Sequence, residues 1–176
     1  MRYKSIYNIE IDDSKNYDLI VNTSQLTPEE VANTIFEAYC CFCEKTIVEQ
    51  IGNQPTTNAF INTAVVADSI YAALDKLQNC YVISVDEILN NEIATFRNRN
   101  IENPNKRLLE KDLLAIDSFE TCNGKEATQR ILYEIITKRM QSCKPTLLLA
   151  KMGLRNFSTI SSELESLIND SFEFFP

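Results

Sequence analysis

The sequence contains no histidine. That absence removes the commonest general base near neutral pH and the commonest partner ligand for a metal-binding cysteine. No Ser/His/Asp or Cys/His nucleophile arrangement is available either. No stretch approaches 18 uncharged apolar residues, so no segment is expected to span a membrane. The opening Met-Arg-Tyr-Lys-Ser-Ile-Tyr-Asn has no apolar run of the signal-peptide kind, and a cytoplasmic location is expected. Positive charge is also scarce. The net charge is −8 and the pI near 4.7, a poor basis for nonspecific phosphate-backbone binding.

What is present suits one globular domain of 176 residues, 44% hydrophobic and 24% charged. The charge is uneven. Residues 1–50 hold four basic and nine acidic residues, net −5, and residues 101–150 hold eight and seven, net +1. Any contact with nucleic acid is expected from that later block only, and a protein partner is expected ahead of it. Lys106-Arg107 and Lys138-Arg139 read as solvated faces. The six cysteines stand at 40, 41, 43, 80, 122 and 143, with no second pair at zinc-finger spacing after Cys40-Cys41-x-Cys43. Buried, reduced thiols are the expectation, and no metal site.

Along the chain, Asp18-Leu-Ile-Val-Asn22 reads as a short buried strand. Thr27-Pro-Glu-Glu30 is a helix start, with Thr27 as cap, Pro28 in the first turn and Glu30 completing a capping box. Residues 46–56 suggest a strand and turn. Phe60, Ala64, Ala67, Tyr71, Leu74 and Leu77 form a stripe that predicts a helix over about 57–78. Cys80–Ser84 is a strand, and Ser84-x-x-Glu87 opens a helix to about Arg97. Asn98–Asn105 is a loop, with a short helix over 106–111. Then come a strand at 113–116, a turn at 121–124, a strongly amphipathic helix over 125–141, a strand at 146–150 and a helix over about 158–169. The tail Phe172, Phe174 and Phe175 is open to packing or exposure. Strands separated by helices mean parallel crossovers. The expected class is α/β, a parallel sheet flanked by helices, with residues 111–150 at its centre.

Two resemblances add to this. Arg2-Tyr-Lys-x-Ile-Tyr-x-Ile-x-Ile-Asp-Asp and Asn16-Tyr-Asp-Leu-Ile-Val-Asn-Thr-Ser, over residues 2–36, resemble the C-terminal end of archaeal-type cytidylate kinases. In that family this end supplies the last strand and final helix, while the phosphate loop and CMP site lie upstream. The resemblance implies a strand and a helix, not kinase activity. Over residues 50–170, Tyr81-Val-Ile-Ser-x-Asp-Glu-Ile-Leu, Lys111-Asp-Leu-Leu-Ala-Ile-Asp, Leu132-Tyr-Glu-Ile-Ile-x-Lys-Arg and Lys144-Pro-Thr-Leu-Leu are similar to helicase-loader ATPases of the DnaC and IstB type. Gly124-Lys-Glu-Ala-Thr-Gln129 is shared with the related DnaA initiators. This implies a P-loop NTPase-like sheet in one domain over 1–176, with residues 1–45 and 46–176 of different character.

The second resemblance also says where catalysis should lie. A phosphate loop of the form G-x-x-x-x-G-K-[ST] holds phosphates by backbone amides and lysine, and magnesium by its hydroxyl. The matching window is Gly52–Ala59. Gly52 keeps the first glycine, but Thr57, Asn58 and Ala59 replace the second glycine, the lysine and the hydroxyl residue. The acidic strand keeps Asp117, the magnesium-side acid, and has Ser118 where the family carries an acid to polarise water. Glu120 is the next acid. Ala150-Lys151 stands at the position of a polar sensor, and Arg155 is the only late arginine. Gly52, Asn58, Asp117 and Ser118 therefore mark a degenerate nucleotide site without catalytic or metal-binding residues. The expected role is a catalytically inactive module working through protein contacts, a pseudo-ATPase without cofactor. The alternatives are an ATPase of the helicase-loader type, which alone brings in ATP and magnesium, and a nucleotide-kinase accessory fragment.

Overall fold

The computed structural model describes residues 21, 24, 26–38, 41, 57–64, 67–77, 80–98, 100 and 102–175. The sequence reading takes 1–176 as one domain with a change of character near residue 45. The structure divides the chain into two compact units, Met1–Phe42 and Cys43–Pro176.

In the first unit a helix covers 28–38. Its start is a complete capping box. The Glu30 amide donates to Thr27 Oγ1 at 3.3 Å, while Glu30 Oε2 accepts from the Thr27 amide at 2.7 Å and its hydroxyl at 2.8 Å. The backbone bond from Thr27, and then the hydroxyl bond, hold the Glu30 carboxyl below its usual range. The strand expected at 18–22 and the kinase-like segment fall mostly outside the described residues, as does the strand expected at 46–56. Cys40 and Cys43 also lie outside them, and Cys41 is exposed.

The second unit is built on five parallel strands: β1 (Ala59–Asn62), β2 (Cys80–Ser84), β3 (Leu113–Asp117), β4 (Thr146–Ala150) and β5 (Glu173–Phe175). Their order is β2-β3-β4-β1-β5, so β4 is central and β3 beside it, as the sequence suggests for 111–150. The helices are α1 (Ala67–Leu74), α2 (Val85–Arg97), α3 (Glu126–Gln141) and α4 (Ser162–Ser171). Strand residues alternate between the two faces. Phe60, Leu114, Ile116 and Leu148 pack with α2, α3 and α4 through Ile88, Leu132, Ile136, Leu164 and Ile168. On the other face Ile61, Ala115, Leu147 and Leu149 pack with Ile70, Ala73 and Leu74 of α1. All five residues of β4 are buried, the pattern of a strand covered on both sides. Each fully buried Leu or Ile contributes about 1.5–3 kcal/mol. No helix among the described residues is long and apolar enough to cross a membrane.

Two expectations are corrected, and one left open is decided. The helix read over 57–78 is a strand, a connection and a shorter helix: β1 over Ala59–Asn62, then α1 over Ala67–Leu74. β1 is buried on both faces, so it shows no period-two alternation, and its Phe60 falls by coincidence on the helical stripe. The aromatic tail, open in the sequence to packing or exposure, packs: Glu173–Phe175 form the edge strand β5, and the Phe174 ring sits 5.5 Å from that of Phe60.

The second correction concerns Arg139, read as part of a solvated face and found fully buried. Its guanidinium donates to Thr146 Oγ1 at 2.9 Å, Leu108 O at 2.5 Å, Lys111 O at 2.8 Å and Pro145 O at 2.7 Å. One planar fork thereby ties the end of α3 to the entries of β3 and β4. Burial pushes its pKa down to about 10, partly opposed by Asp112, which leaves it charged at neutral pH. Its neighbour Lys138 is on the surface as expected, 3.6 Å from Glu134.

Candidate functional site

In open parallel α/β sheets, ligands bind beyond the carboxyl ends of the strands. Here that edge is formed by Asn62, Asp117 and Ala150, the last residues of β1, β3 and β4. β3 is apolar through Ile116, so the chain stays in the sheet until Asp117, the first polar side chain of the strand.

The Asp117 carboxylate is held from two sides. The Tyr71 hydroxyl of α1 donates to Oδ1 at 2.5 Å, and the Ser118 amide donates to the same oxygen at 2.6 Å. Bonds to a charged acceptor are short and comparatively strong. Partial burial first, then the bond to Asp117, then the charges of Asp117 and Glu120, raise the Tyr71 pKa above its ordinary value near 10, so the phenol stays a donor. Ser118 takes a left-handed backbone conformation, φ 55°, which is uncommon for a non-glycine residue. This conformation lets the chain turn sharply into the 3₁₀ segment Phe119–Cys122. Glu120, the next acid, is tied to the exit of β4: its Oε2 accepts from the Lys151 amide at 3.1 Å.

The strand–loop–helix unit of a phosphate loop corresponds here to β1, residues 63–66 and α1. The Thr63 amide donates to Ala150 O at 2.7 Å, and the Ala64 amide to Asn62 Oδ1 at 3.1 Å. Both amides are therefore committed within the protein. The sequence from Thr63 to Ser69 is Thr-Ala-Val-Val-Ala-Asp-Ser, without glycine or lysine. Neither the permissive backbone nor the phosphate-facing cation of such a loop is present.

The predicted site residues thus separate. Asp117 and Ser118 are adjacent at the carboxyl end of β3, both half-buried. Asn58 precedes β1, at the opposite end of the sheet. Its Oδ1 accepts from the Thr146 amide at 2.9 Å, its Nδ2 donates to Ser171 O at 3.4 Å, and its carbonyl accepts from the Glu173 amide at 3.0 Å. Asn58 therefore secures the entries of β4 and β5 and does not meet Asp117. Gly52 lies outside the described residues. The motif window Gly52–Ala59 ends at the start of β1, whereas the topology puts the equivalent loop after β1. It also missed Tyr71, which it placed on an apolar stripe. The only signal for Tyr71 was its polar tip, since a buried phenol needs a partner.

No protein-family model and no curated protein sequence matches this chain. Solved structures do. The chain is similar to domain III of the replication initiation protein DnaA of Thermotoga maritima, with TM-score 0.61 and 18% identity, over 76% of this chain and 60% of that one. AMPPCP-bound DnaA of Aquifex aeolicus gives TM-score 0.62 and 18% identity over 74% of this chain and 44% of that one. A DnaA structure bound to AMPPCP and single-stranded DNA gives 0.57 and 15%, over 90% and 47%. This chain spans less than two thirds of each of these proteins. The likeness establishes the fold alone: an α/β, P-loop NTPase-like parallel sheet flanked by helices, similar to that of the DnaA structures.

Proposed function

We propose that this chain is a P-loop NTPase-like module that neither holds nor hydrolyses ATP and acts through contacts with other proteins. The observation that carries this reading is the closure around Asp117. The one acid left at the magnesium position takes its hydrogen bonds from Tyr71 and its own chain, and the sequence between β1 and α1 has no lysine to hold a phosphate. With Ser118 in place of that acid, a bound water would lack the group that polarises it. The DnaA-like sheet and the helicase-loader-like blocks over residues 50–170 support a replication setting by analogy of fold. The acidic balance of the chain supports a protein partner over nucleic acid.

The test is linkage. A ligand present at 100 times its Kd stabilises by about 2.7 kcal/mol, which for a chain of this length is roughly 5–10 °C in Tm. ATP with magnesium at about 5 mM is expected to leave Tm unchanged. A shift of that size contradicts the reading and favours an ATPase of the helicase-loader type, with Asp117 as metal ligand.

A further inference from the structure

The two edges of the sheet differ. β5 is three residues long, opens with Glu173 and is followed in sequence by Pro176. Shortness, charge and proline are the usual protections of an edge against strand addition. β2 has none of them. It is Cys-Tyr-Val-Ile-Ser, five residues with no charge and no proline, and among the described residues it pairs with β3 alone. Its middle residues Tyr81 and Val82 are exposed on opposite faces, at 38% and 40%. α2 returns along the Tyr81 face and carries Phe96, 83% exposed, and Ile93, 39% exposed. An added strand would therefore find apolar contacts on both faces.

We propose that β2 is a self-association edge, at which two copies of this chain join by antiparallel pairing of their β2 strands about a two-fold axis at Val82. The strand is its own complement in this arrangement: Cys80 meets Ser84 of the other copy, Tyr81 meets Ile83, and Val82 meets Val82. The charges match as well. Lys111 lies over the Tyr81 ring at 5.0 Å, at the start of the strand. Exposed Glu87 follows its end, in the first turn of α2. Antiparallel pairing brings the lysine end of each copy to the glutamate end of the other, twice. A parallel pairing sets like ends together and does not close on a two-fold. The two five-stranded sheets become one continuous sheet.

The experiment is sedimentation equilibrium of the full chain over about 1–200 μM, a range that brackets a modest interface. The wild-type mass is expected to rise toward twice 20.1 kDa. Val82→Lys puts two like charges at the axis and is expected to remain monomeric throughout, with its Tm unchanged as a check of folding. Glu87→Lys is expected to weaken the dimer by about tenfold or more, and the swap Glu87→Lys with Lys111→Glu to restore it. Should Val82→Lys fail to fold, the loss and recovery in the surface swap decide alone. A wild-type chain that stays at 20.1 kDa, or a dimer indifferent to these changes, overturns the proposal. The nucleotide question is separate: a chain that binds ATP and still dimerises through β2 overturns only the inactive reading.

Discussion

The two ends of the parallel sheet are both rich in polar contacts, and they use them differently. At the amino end Arg139 and Asn58 reach across the fold, from α3 and the entry of β1 to the entries of β3, β4 and β5. At the carboxyl end the contacts are shorter in reach. Asp117 is met by Tyr71 and the next amide, Glu120 by the exit of β4, and the Ala64 amide by Asn62. The amino end is a clamp that fixes strand order. The carboxyl end is where such sheets bind ligands, and here several of its described groups bond one another. A working site keeps donors and charges poised for something outside the protein; among the described residues here, one Asp117 oxygen and the Thr63 and Ala64 amides are bonded within it.

Substitutions that separate clamp from closed edge rank by burial. Arg139→Met leaves the Leu108, Lys111 and Pro145 carbonyls and the Thr146 hydroxyl without their donor. It is expected to cost about 3–5 kcal/mol in urea unfolding, because orphaned buried acceptors each cost about 1–3 kcal/mol and the site relaxes in part. Arg139→Lys keeps the charge but not the planar fork and should recover only a fraction. Asn58→Ala removes the acceptor of the buried Thr146 amide and is expected to cost about 1–3 kcal/mol by the same assay. Tyr71→Phe, at the other end, removes one donor from a half-buried carboxylate that keeps its amide bond. About 1–2 kcal/mol is expected. A cost at Tyr71 equal to that at Arg139 would erase the distinction between the two ends.

A smaller effect is set by pH. Burial raises the thiol of Cys80 from 9.0 to about 11 and that of Cys122 from 9.0 to about 12. Tyr71 is raised too. In the unfolded chain these thiols ionise from about pH 9, while in the fold they keep their protons. The stability they contribute is therefore complete below about pH 9 and is lost as pH rises through 11 to 12. Unfolding midpoints should fall between pH 8 and pH 10.5, and Cys122→Ala should shrink the fall. A midpoint that rises over this range contradicts the assignment.

The sequence made the second unit legible where local and tertiary signals agree. Ser84 caps α2 by accepting from the Glu87 amide at 3.2 Å, as its spacing implies. The β4 strand has the bounds read from its apolar run, and α3 follows its stripe to within a residue. Legibility fails where one residue serves a distant partner. Nothing near Arg139 announces three carbonyls 28, 31 and 6 residues away in sequence. β1 was hidden because a strand buried on both faces has no alternation to display. At the candidate site the pattern gave Asp117 and Ser118 but put the phosphate window at the wrong end of β1, and Tyr71 was passed over as core.

The proposed inactivity rests on the Tyr71 bond to Asp117 and on the lack of glycine and lysine between β1 and α1. Calorimetric titration of ATP with magnesium into the wild-type chain and into Tyr71→Phe, side by side, tests it most directly. The account predicts no saturable binding by either protein up to millimolar nucleotide, because releasing Asp117 does not supply the missing lysine. A one-site isotherm with the wild-type chain would contradict it.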